Sequence, residues 1–297
     1  MKISRNHLIL FLVTFVGIYM LGFFSGVKKV FPYHQARSMH LKFQEKITSY
    51  DISSLQACTV DEITDLPQQF SVIIGHAYGT QKYVTPDRFL APKIHSFLLD
   101  SHQNIDTLIF TGDVFSIPSS RKWERLFSDF SSVKIFIAPG NHDIERPDSK
   151  EIFYKNNSFS KAFPFFINTQ SLDIIIDNSI EKRWVLGKKL VEKLNSSSSN
   201  TLIARHDTPI KELIPLSNGA ALGEKLLPNV KDFLKNFKSD SNFTWVIGDG
   251  GASQYLPRIA CFEFNNHRFI INGIGEVSGD TILILNDGKI FKYLLDK

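Results

Sequence analysis

The pattern of apolar and polar positions becomes regular from residue 70 onward. Short runs of β-branched and aromatic residues, each ending in Gly, Pro or a polar residue, predict strands. These runs cover residues 70–74, 106–110, 133–138, 172–176, 201–204 and 244–247. Apolar residues at helical spacing predict helices between them, over 87–103, 121–130 and 181–194. The alternation of strands and helices predicts an α/β domain over residues 70–297.

The end of the chain predicts two strand pairs instead of further helices. Residues 259–264 and 268–273 form one pair, and 281–285 and 289–295 form the other. The second pair is joined by Asn286-Asp287-Gly288, a composition that is typical of a tight hairpin turn.

The N-terminal segment has a different pattern. Residues 8–27 contain no charged side chain and would span about 30 Å as a helix, the thickness of a bilayer core. We interpret residues 1–29 as a transmembrane anchor, with a cleaved signal peptide as the alternative. Residues 30–69 are then a juxtamembrane stalk with a short helix near 36–50. The flanking basic residues nearly balance, and we expect a single-pass protein with its domain on the periplasmic or extracellular face.

Composition narrows the class of protein. The hydrophobic fraction of 43% and charged fraction of 22% are those of a globular domain. A net charge of +4 is too small to indicate nucleic-acid binding. Cys58 and Cys261 lack the spacing of a metal motif. They could pair in an oxidising compartment, but Cys261 lies in an apolar run and is more simply a buried small side chain. The sequence does not give the oligomeric state.

Polar residues follow five of the predicted strands directly. Because ligand sites in open α/β sheets lie beyond the carboxyl ends of the strands, we expect these residues to converge. They are His76, Tyr78, Asp113, Asn141, His142, His206 and Asp249. Nitrogen and oxygen ligands without thiolates suit Mn, Zn or Fe, and a carboxylate can bridge two ions about 3.5–4 Å apart.

Two further roles follow from position. His142 could protonate a leaving alkoxide, and Asp143 beside it could orient the ring. Gly250 and Gly251 could let backbone N–H groups approach a phosphate. Each candidate also has a purely structural interpretation, as a helix cap, a turn residue or a packed side chain.

Four segments, in this order, resemble the calcineurin-like metallophosphoesterase family: "VIIGHAYG" (72–79), "FTGD" (110–113), "APGNHD" (138–143) and "LIARHDTP" (202–209). The family signature is D-x-H, GD-x-x-D, GNH-D/E, a lone His after a strand, and GH-x-H. The resemblance covers about residues 70–297. It implies a two-layer β-sandwich flanked by helices, with two metals between the sheet tips.

The chain departs from this signature at its first and last motifs. His76-Ala77-Tyr78 stands in place of D-x-H, Ser116 in place of the second Asp, and Asp249 and Gly251 in place of the two His of GH-x-H. By resemblance, one metal keeps only Asp113 and His76. The other keeps a nearly complete set: Asp113, Asn141, His206 and Asp249.

The sequence therefore predicts a membrane-anchored, metal-dependent phosphoesterase-like hydrolase acting on a cell-envelope phosphoester. One or two divalent ions (Mn, Fe or Zn) would be held by Asp113, Asn141, His206, Asp249 and His76. His142 and Asp143 would be catalytic, and Tyr78, Gly250 and Gly251 would contact substrate. The alternative is an inactive protein of the same fold that binds a ligand or partner. A serine esterase is not supported, because no G-x-S-x-G elbow is present.

Overall fold

The computed structural model describes residues 52–80, 83, 85–157, 162–168, 172–181, 184–197, 200–217, 227–238, 242–251 and 256–295. The predicted transmembrane segment 8–27 and the helix near 36–50 lie outside these residues. No helix within the described ranges is long and apolar enough to cross a membrane.

The described strands form two mixed sheets. They are β1 (Gln56–Ala57), β2 (Phe70–Ile74), β3 (Ile105–Phe110), β4 (Lys134–Ile137), β5 (Phe165–Asn168), β6 (Asp173–Ile176), β7 (Thr201–Arg205), β8 (Phe243–Ile247), β9 (Ile259–Phe264), β10 (His267–Asn272), β11 (Thr281–Asn286) and β12 (Lys289–Leu294). One sheet has the order β12-β11-β2-β3-β4, and the other has the order β1-β9-β10-β8-β7-β6-β5. Strands β2, β3 and β4 are parallel to one another, as are β6, β7, β8 and β10.

Helices cover the outer face of each sheet. They are α1 (Pro92–Ser101), α2 (Ser120–Asp129), α3 (Asn141–Ile144), α4 (Pro147–Asn156), α5 (Lys188–Ser196) and α6 (Val230–Leu234), with 3₁₀ helices at Ile52–Ser54, His102–Asn104 and Lys211–Leu216. Successive strand residues point to opposite faces. In β3, Leu108 packs in the cluster that contains α1 and α2, whereas Ile109 packs between the sheets. In β7, Ile203 packs with α5, whereas Leu202 faces the other sheet.

The predicted α/β domain with two sheets and flanking helices is confirmed, and most strands lie within one residue of their predicted bounds. The helices differ more. The segment predicted as helix 181–194 becomes helical only at Lys188, and α3, α4 and α6 were not predicted. Of these three helices, α3 and α6 are short and α4 has a weakly apolar face, so each gives little periodic signal.

The prediction that residues 52–69 belong to a stalk is wrong. β1 pairs antiparallel with β9 on one sheet, and the backbone around Ile63 bonds to Lys292 on the edge of the other sheet. This segment is therefore part of the domain. A two-residue strand carries no alternation that a sequence pattern could reveal.

The simpler interpretation of Cys261 as an unpaired buried residue is also wrong. Cys58 and Cys261 form a disulfide across a sequence separation of 203 residues. The bond ties the segment after β1 to β9. Arg268, which donates to the Thr59 carbonyl, reinforces the same connection.

Removing the disulfide tests how far this connection stabilises the domain. We expect replacement of both Cys58 and Cys261 by Ser to lower the free energy of unfolding by about 2–5 kcal/mol, since the disulfide closes a long loop in the unfolded chain. Urea denaturation measures the effect. Wild-type protein with a reductant serves as the matched control and should unfold like the variant. Equal midpoints for oxidised wild type and variant would contradict the prediction.

Candidate metal centre

The site lies where the carboxyl ends of parallel strands from both sheets meet. β2, β3 and β4 lead to His76, Asp113 and Asn141, whereas β7 and β8 lead to His206 and Asp249. The two sheet edges face each other, since His206 Nε2 after β7 lies 3.6 Å from Asp113 Oδ1 after β3. The residues that the sequence predicted to converge are thus brought together.

Two glycines let the strand ends approach this closely. Gly112 has a φ of 95°, and a Cβ on it would collide with the imidazole of His206. A Cβ on Gly140 would collide with the backbone N and carboxylate of Asp113. Asp113 itself has a φ of 55°, a conformation that few non-glycine residues adopt. The tight "GD" and "GNH" turns are therefore needed to place the Asp113 carboxylate under His206.

Each of three histidines is fixed by a main-chain carbonyl. The Nδ1 atoms of His76, His142 and His206 lie 3.2, 2.9 and 3.0 Å from the carbonyl oxygens of Gly79, Ser116 and Thr111. A carbonyl oxygen can only accept, so each Nδ1 carries the hydrogen. In the neutral ring Nε2 then carries the lone pair, the form in which metal-ligating histidines bind a cation.

All three Nε2 atoms point to the same carboxylate, that of Asp113. Nε2 of His76 lies 3.3 Å from Oδ2, and Nε2 of His142 lies 4.0 Å from that oxygen. Nε2 of His206 lies 3.6 Å from Oδ1. Lone pairs that face a carboxylate at these distances repel it unless a proton or a cation lies between them.

The surroundings of His206 Nε2 fit a metal ion best. Besides Asp113, its neighbours are Asn141 Oδ1 at 3.2 Å and Asp249 Oδ1 at 3.8 Å. Ligand atoms bound to one ion at about 2.0–2.2 Å lie about 3–3.6 Å apart. The three oxygens therefore lie at or just beyond this spacing from the imidazole nitrogen. On the other side of Asp113, Nε2 of the predicted ligand His76 lies 3.3 Å from Asp113 Oδ2, a distance within the same range of about 3–3.6 Å.

The electrostatics of the site favour a cation. Burial alone would lower the pKa of His206, but the carboxylates of Asp113, Asp249 and Asp207 raise it to about 9. Burial lowers the pKa of His76 to about 4, opposed by Asp113. Burial would raise the pKa of Asp113, yet the imidazoles of His206, His142 and His76 hold it below its usual range. The carboxylates around His206 therefore favour a positive charge, either a proton or a metal ion, at its Nε2.

Asp143 has partners that the sequence did not suggest. Its Oδ2 accepts the backbone N–H groups of Asp113 and Gly140, both at 2.9 Å. The ring of His142, which Asp143 was expected to orient, is held instead by Ser116. Asp143 is fully buried, and burial, aided by the charge of Asp113, raises its pKa. It thus joins the turn after β3 to the turn after β4.

His142 lies at the mouth of the site. Its side chain is 23% exposed, compared with 1% for Asp113 and 0% for His206. The hydroxyl of Tyr78 lies 3.4 Å from its Nε2, and the two rings are 5.1 Å apart. A molecule entering from solvent therefore meets His142 before it meets the buried carboxylates.

Gly250 and Gly251 have a packing requirement of their own. A Cβ on Gly250 would collide with Ile271, and a Cβ on Gly251 with the Gly273 carbonyl. Contact of either glycine with a substrate stays a prediction. Substrate contact by Tyr78 and metal binding by the predicted ligands also stay predictions.

Sequence reasoning missed Asp207, which follows His206 directly. His206, Asp207 and Asp249 are buried and offer ligand atoms within 4.8 Å of one another. The only sequence signal for Asp207 was an acidic residue directly after a candidate ligand at the end of a predicted strand.

Comparison with known proteins identified one family and a number of distant structures. The family model for calcineurin-like phosphoesterases matches residues 73–273. A purple acid phosphatase, PPD1, from yellow lupin (Lupinus luteus) seeds aligns with a TM-score of 0.48 and 11% identity, over 76% of this chain and 53% of that chain. The phosphopantetheinyl hydrolase PptH from Mycobacterium tuberculosis aligns with a TM-score of 0.39 and 11% identity, over 70% and 90%. This chain thus spans about half the length of the lupin enzyme. No curated protein matches it.

The contacts of Asp143 predict a structural role that can be measured without catalysis. We expect Asp143→Ala to lower the free energy of unfolding by roughly 2–4 kcal/mol, because two buried backbone N–H groups lose their acceptor. Urea denaturation in excess chelator separates this effect from metal binding. Asp100→Ala, at an exposed position on α1, is the control and should change stability little. A similarly small change for Asp143→Ala would contradict the prediction.

Proposed function

Since the chain belongs to the calcineurin-like phosphoesterase family, we propose that it is a metal-dependent hydrolase of phosphoesters. The observation that carries this proposal is the convergence of three imidazole Nε2 atoms on the buried carboxylate of Asp113. Family membership implies divalent metal ions, and the donor atoms around His206 have the types and spacing that such an ion needs.

Four side chains would hold the principal ion: Asp113, Asn141, His206 and Asp249. His76 would bind a second ion with Asp113 as the shared ligand. When bound, the metal would lower the pKa of a water molecule and neutralise charge on the phosphoryl oxygens. The ion identity proposed from the sequence is Mn, Fe or Zn.

His142 would supply a proton to the leaving oxygen. With Nδ1–H donated to the Ser116 carbonyl, a hydrogen on the other ring nitrogen, Nε2, would be the one available to a substrate. The Ser116 carbonyl fixes the orientation of the ring and so the direction of Nε2. The Tyr78 hydroxyl, 3.4 Å from Nε2, can accept that hydrogen bond before a substrate does. Asp143 contributes indirectly, by fixing the turns that carry Asp113 and His142.

The proposal predicts that metal binding and proton transfer can be separated by mutation. We expect Asp113→Ala and His206→Ala to lose most of the bound metal and all detectable hydrolysis. His142→Gln should keep the metal but lose about 10²–10⁴-fold in kcat, because a general acid contributes about that factor. Elemental analysis and a screen of phosphomonoesters and phosphodiesters are the measurements.

Two control variants match these changes. Asp106 lies near the amino-terminal end of β3, and His102 lies just before that strand, so both are away from the site. The variants Asp106→Ala and His102→Gln should therefore retain both metal and activity. Wild-type protein that contains no transition metal after reconstitution would overturn the proposal. Wild-type protein that binds metal but hydrolyses nothing would favour the alternative of a binding protein on this fold.

We further propose that the domain is anchored by residues 8–27 and faces the outside of the cell. The uncharged length of that segment supports the anchor. The Cys58–Cys261 disulfide supports the location, because such bonds persist mainly in oxidising compartments. The site would then reach phosphoesters of the cell envelope, such as phosphorylated glycans or lipid-linked precursors.

Fractionation tests the anchor and the location together. We expect the full-length chain in the membrane fraction, released by detergent but not by high salt, and a chain lacking residues 1–29 in the soluble fraction. Protease added to cells whose outer layer has been made permeable, but whose inner membrane is intact, should cleave the domain. In a separate assay, Cys58 and Cys261 should react with a thiol-alkylating reagent only after reduction. A soluble full-length chain, or thiols that react without reduction, would contradict this assignment.

A further inference from the structure

A second carboxylate lies beside the nearly complete ligand set. Asp207 follows His206 at the end of β7, and an oxygen of its side chain is within 4.8 Å of the ligand atoms of both His206 and Asp249. All three side chains are buried. The family pattern assigns no role to this position, and the ligands considered above do not include it.

The Asp207 side chain is held in place by a serine on the neighbouring strand end. Ser179, beyond β6, donates its hydroxyl to Asp207 Oδ2 at 2.9 Å and accepts the backbone N–H of Asp207 at 3.1 Å. Carboxylates that bind metals commonly carry such a supporting hydrogen bond. The bond fixes the orientation of the carboxylate and occupies one of its two oxygens.

A structural ion pair with Arg205 is the competing explanation for Asp207. The buried guanidinium of Arg205 instead has its Nη1 3.3 Å from Asp177 Oδ2 and donates from Nη2 to the Trp184 carbonyl at 2.6 Å. Within the described residues, no ion pair joins Arg205 to Asp207. Asp207 and Asp249 are thus two neighbouring buried carboxylates, and one cation bound by both would offset their repulsion.

We propose that Asp207 is a further ligand of the principal ion and that this oxygen-rich centre binds Mn²⁺ more tightly, relative to Zn²⁺, than a centre with an imidazole in place of Asp249 would. This inference rests on the proposed function, because it assumes that the same ion is bound. Asp249 stands where the family has an imidazole, and Asp207 adds another carboxylate. The set is then four oxygen ligands, from Asp113, Asn141, Asp207 and Asp249, and the single imidazole of His206. Oxygen-rich sets suit hard ions such as Mn²⁺, whereas sets with more imidazole or thiolate suit Zn²⁺.

Calorimetric titration of the metal-free, full-length chain with Mn²⁺ and with Zn²⁺ tests the proposal without relying on activity. Asp207→Asn should weaken Mn²⁺ binding by about tenfold or more, the effect of losing a supporting or direct metal contact. Asp249→His should shift the ratio of the two affinities toward Zn²⁺ by about tenfold. Asp100→Asn, at an exposed position on α1, is the matched control and should bind like wild type. Unchanged Mn²⁺ affinity in Asp207→Asn, or an unchanged ratio in Asp249→His, would overturn the proposal.

A measurement on the unmodified protein covers the case in which a variant does not fold. Pulsed electron paramagnetic resonance, with less than one equivalent of Mn²⁺, counts the imidazole nitrogens bound to the ion. One nitrogen is expected, and two or more would overturn the oxygen-rich centre. The outcomes also separate the two proposals. Wild type that binds no metal would remove both, whereas wild type that binds metal and hydrolyses phosphoesters, with Asp207→Asn unchanged, would remove only this one.

Discussion

The buried carboxylate of Asp113 is the constraint on which the arrangement of the site depends. Its oxygens face imidazoles from three different turns, two on its own sheet and one on the opposite sheet. Taking such a charge out of water is costly unless partners compensate for it. The compensation comes from both sheets, so the β-sandwich must close for the site to exist. The close approach of Gly112 to His206 joins the two sheets, and that of Gly140 to Asp113 joins neighbouring strands of one sheet.

The other buried acids would couple folding to binding of the proposed metal ion. Asp143 and Asp207 are both fully or almost fully buried, and burial raises the pKa of each. Without a nearby cation, burial favours the protonated form of such groups. A divalent ion at the proposed centre would favour their ionised forms, so ion binding would contribute to the stability of the folded state as well as to chemistry.

The sequence predicted the strands and the residues at their ends, because both depend on local patterns. A buried parallel strand such as Phe70–Ile74 is a continuous apolar run, and a polar residue directly after it is conspicuous. Relations between distant residues were not predictable. The acceptor role of Asp143 depends on a backbone N–H 30 residues away, and the pairing of Cys58 depends on a residue 203 positions away. Asp207 was missed because adjacency to a histidine implies no geometry by itself.

The altered first and last motifs have a consistent physical explanation. At most positions where the family has a metal ligand, this chain has a different side chain that can still coordinate a metal or form a hydrogen bond. These replacements are His76 for an Asp, Tyr78 for a His and Asp249 for a His. His206 Nε2 lies among Asp113, Asn141 and Asp249, an arrangement that is favourable around a proton or a metal ion. The replacements therefore agree with the proposed centre, which has more oxygen ligands and fewer imidazoles than the family pattern.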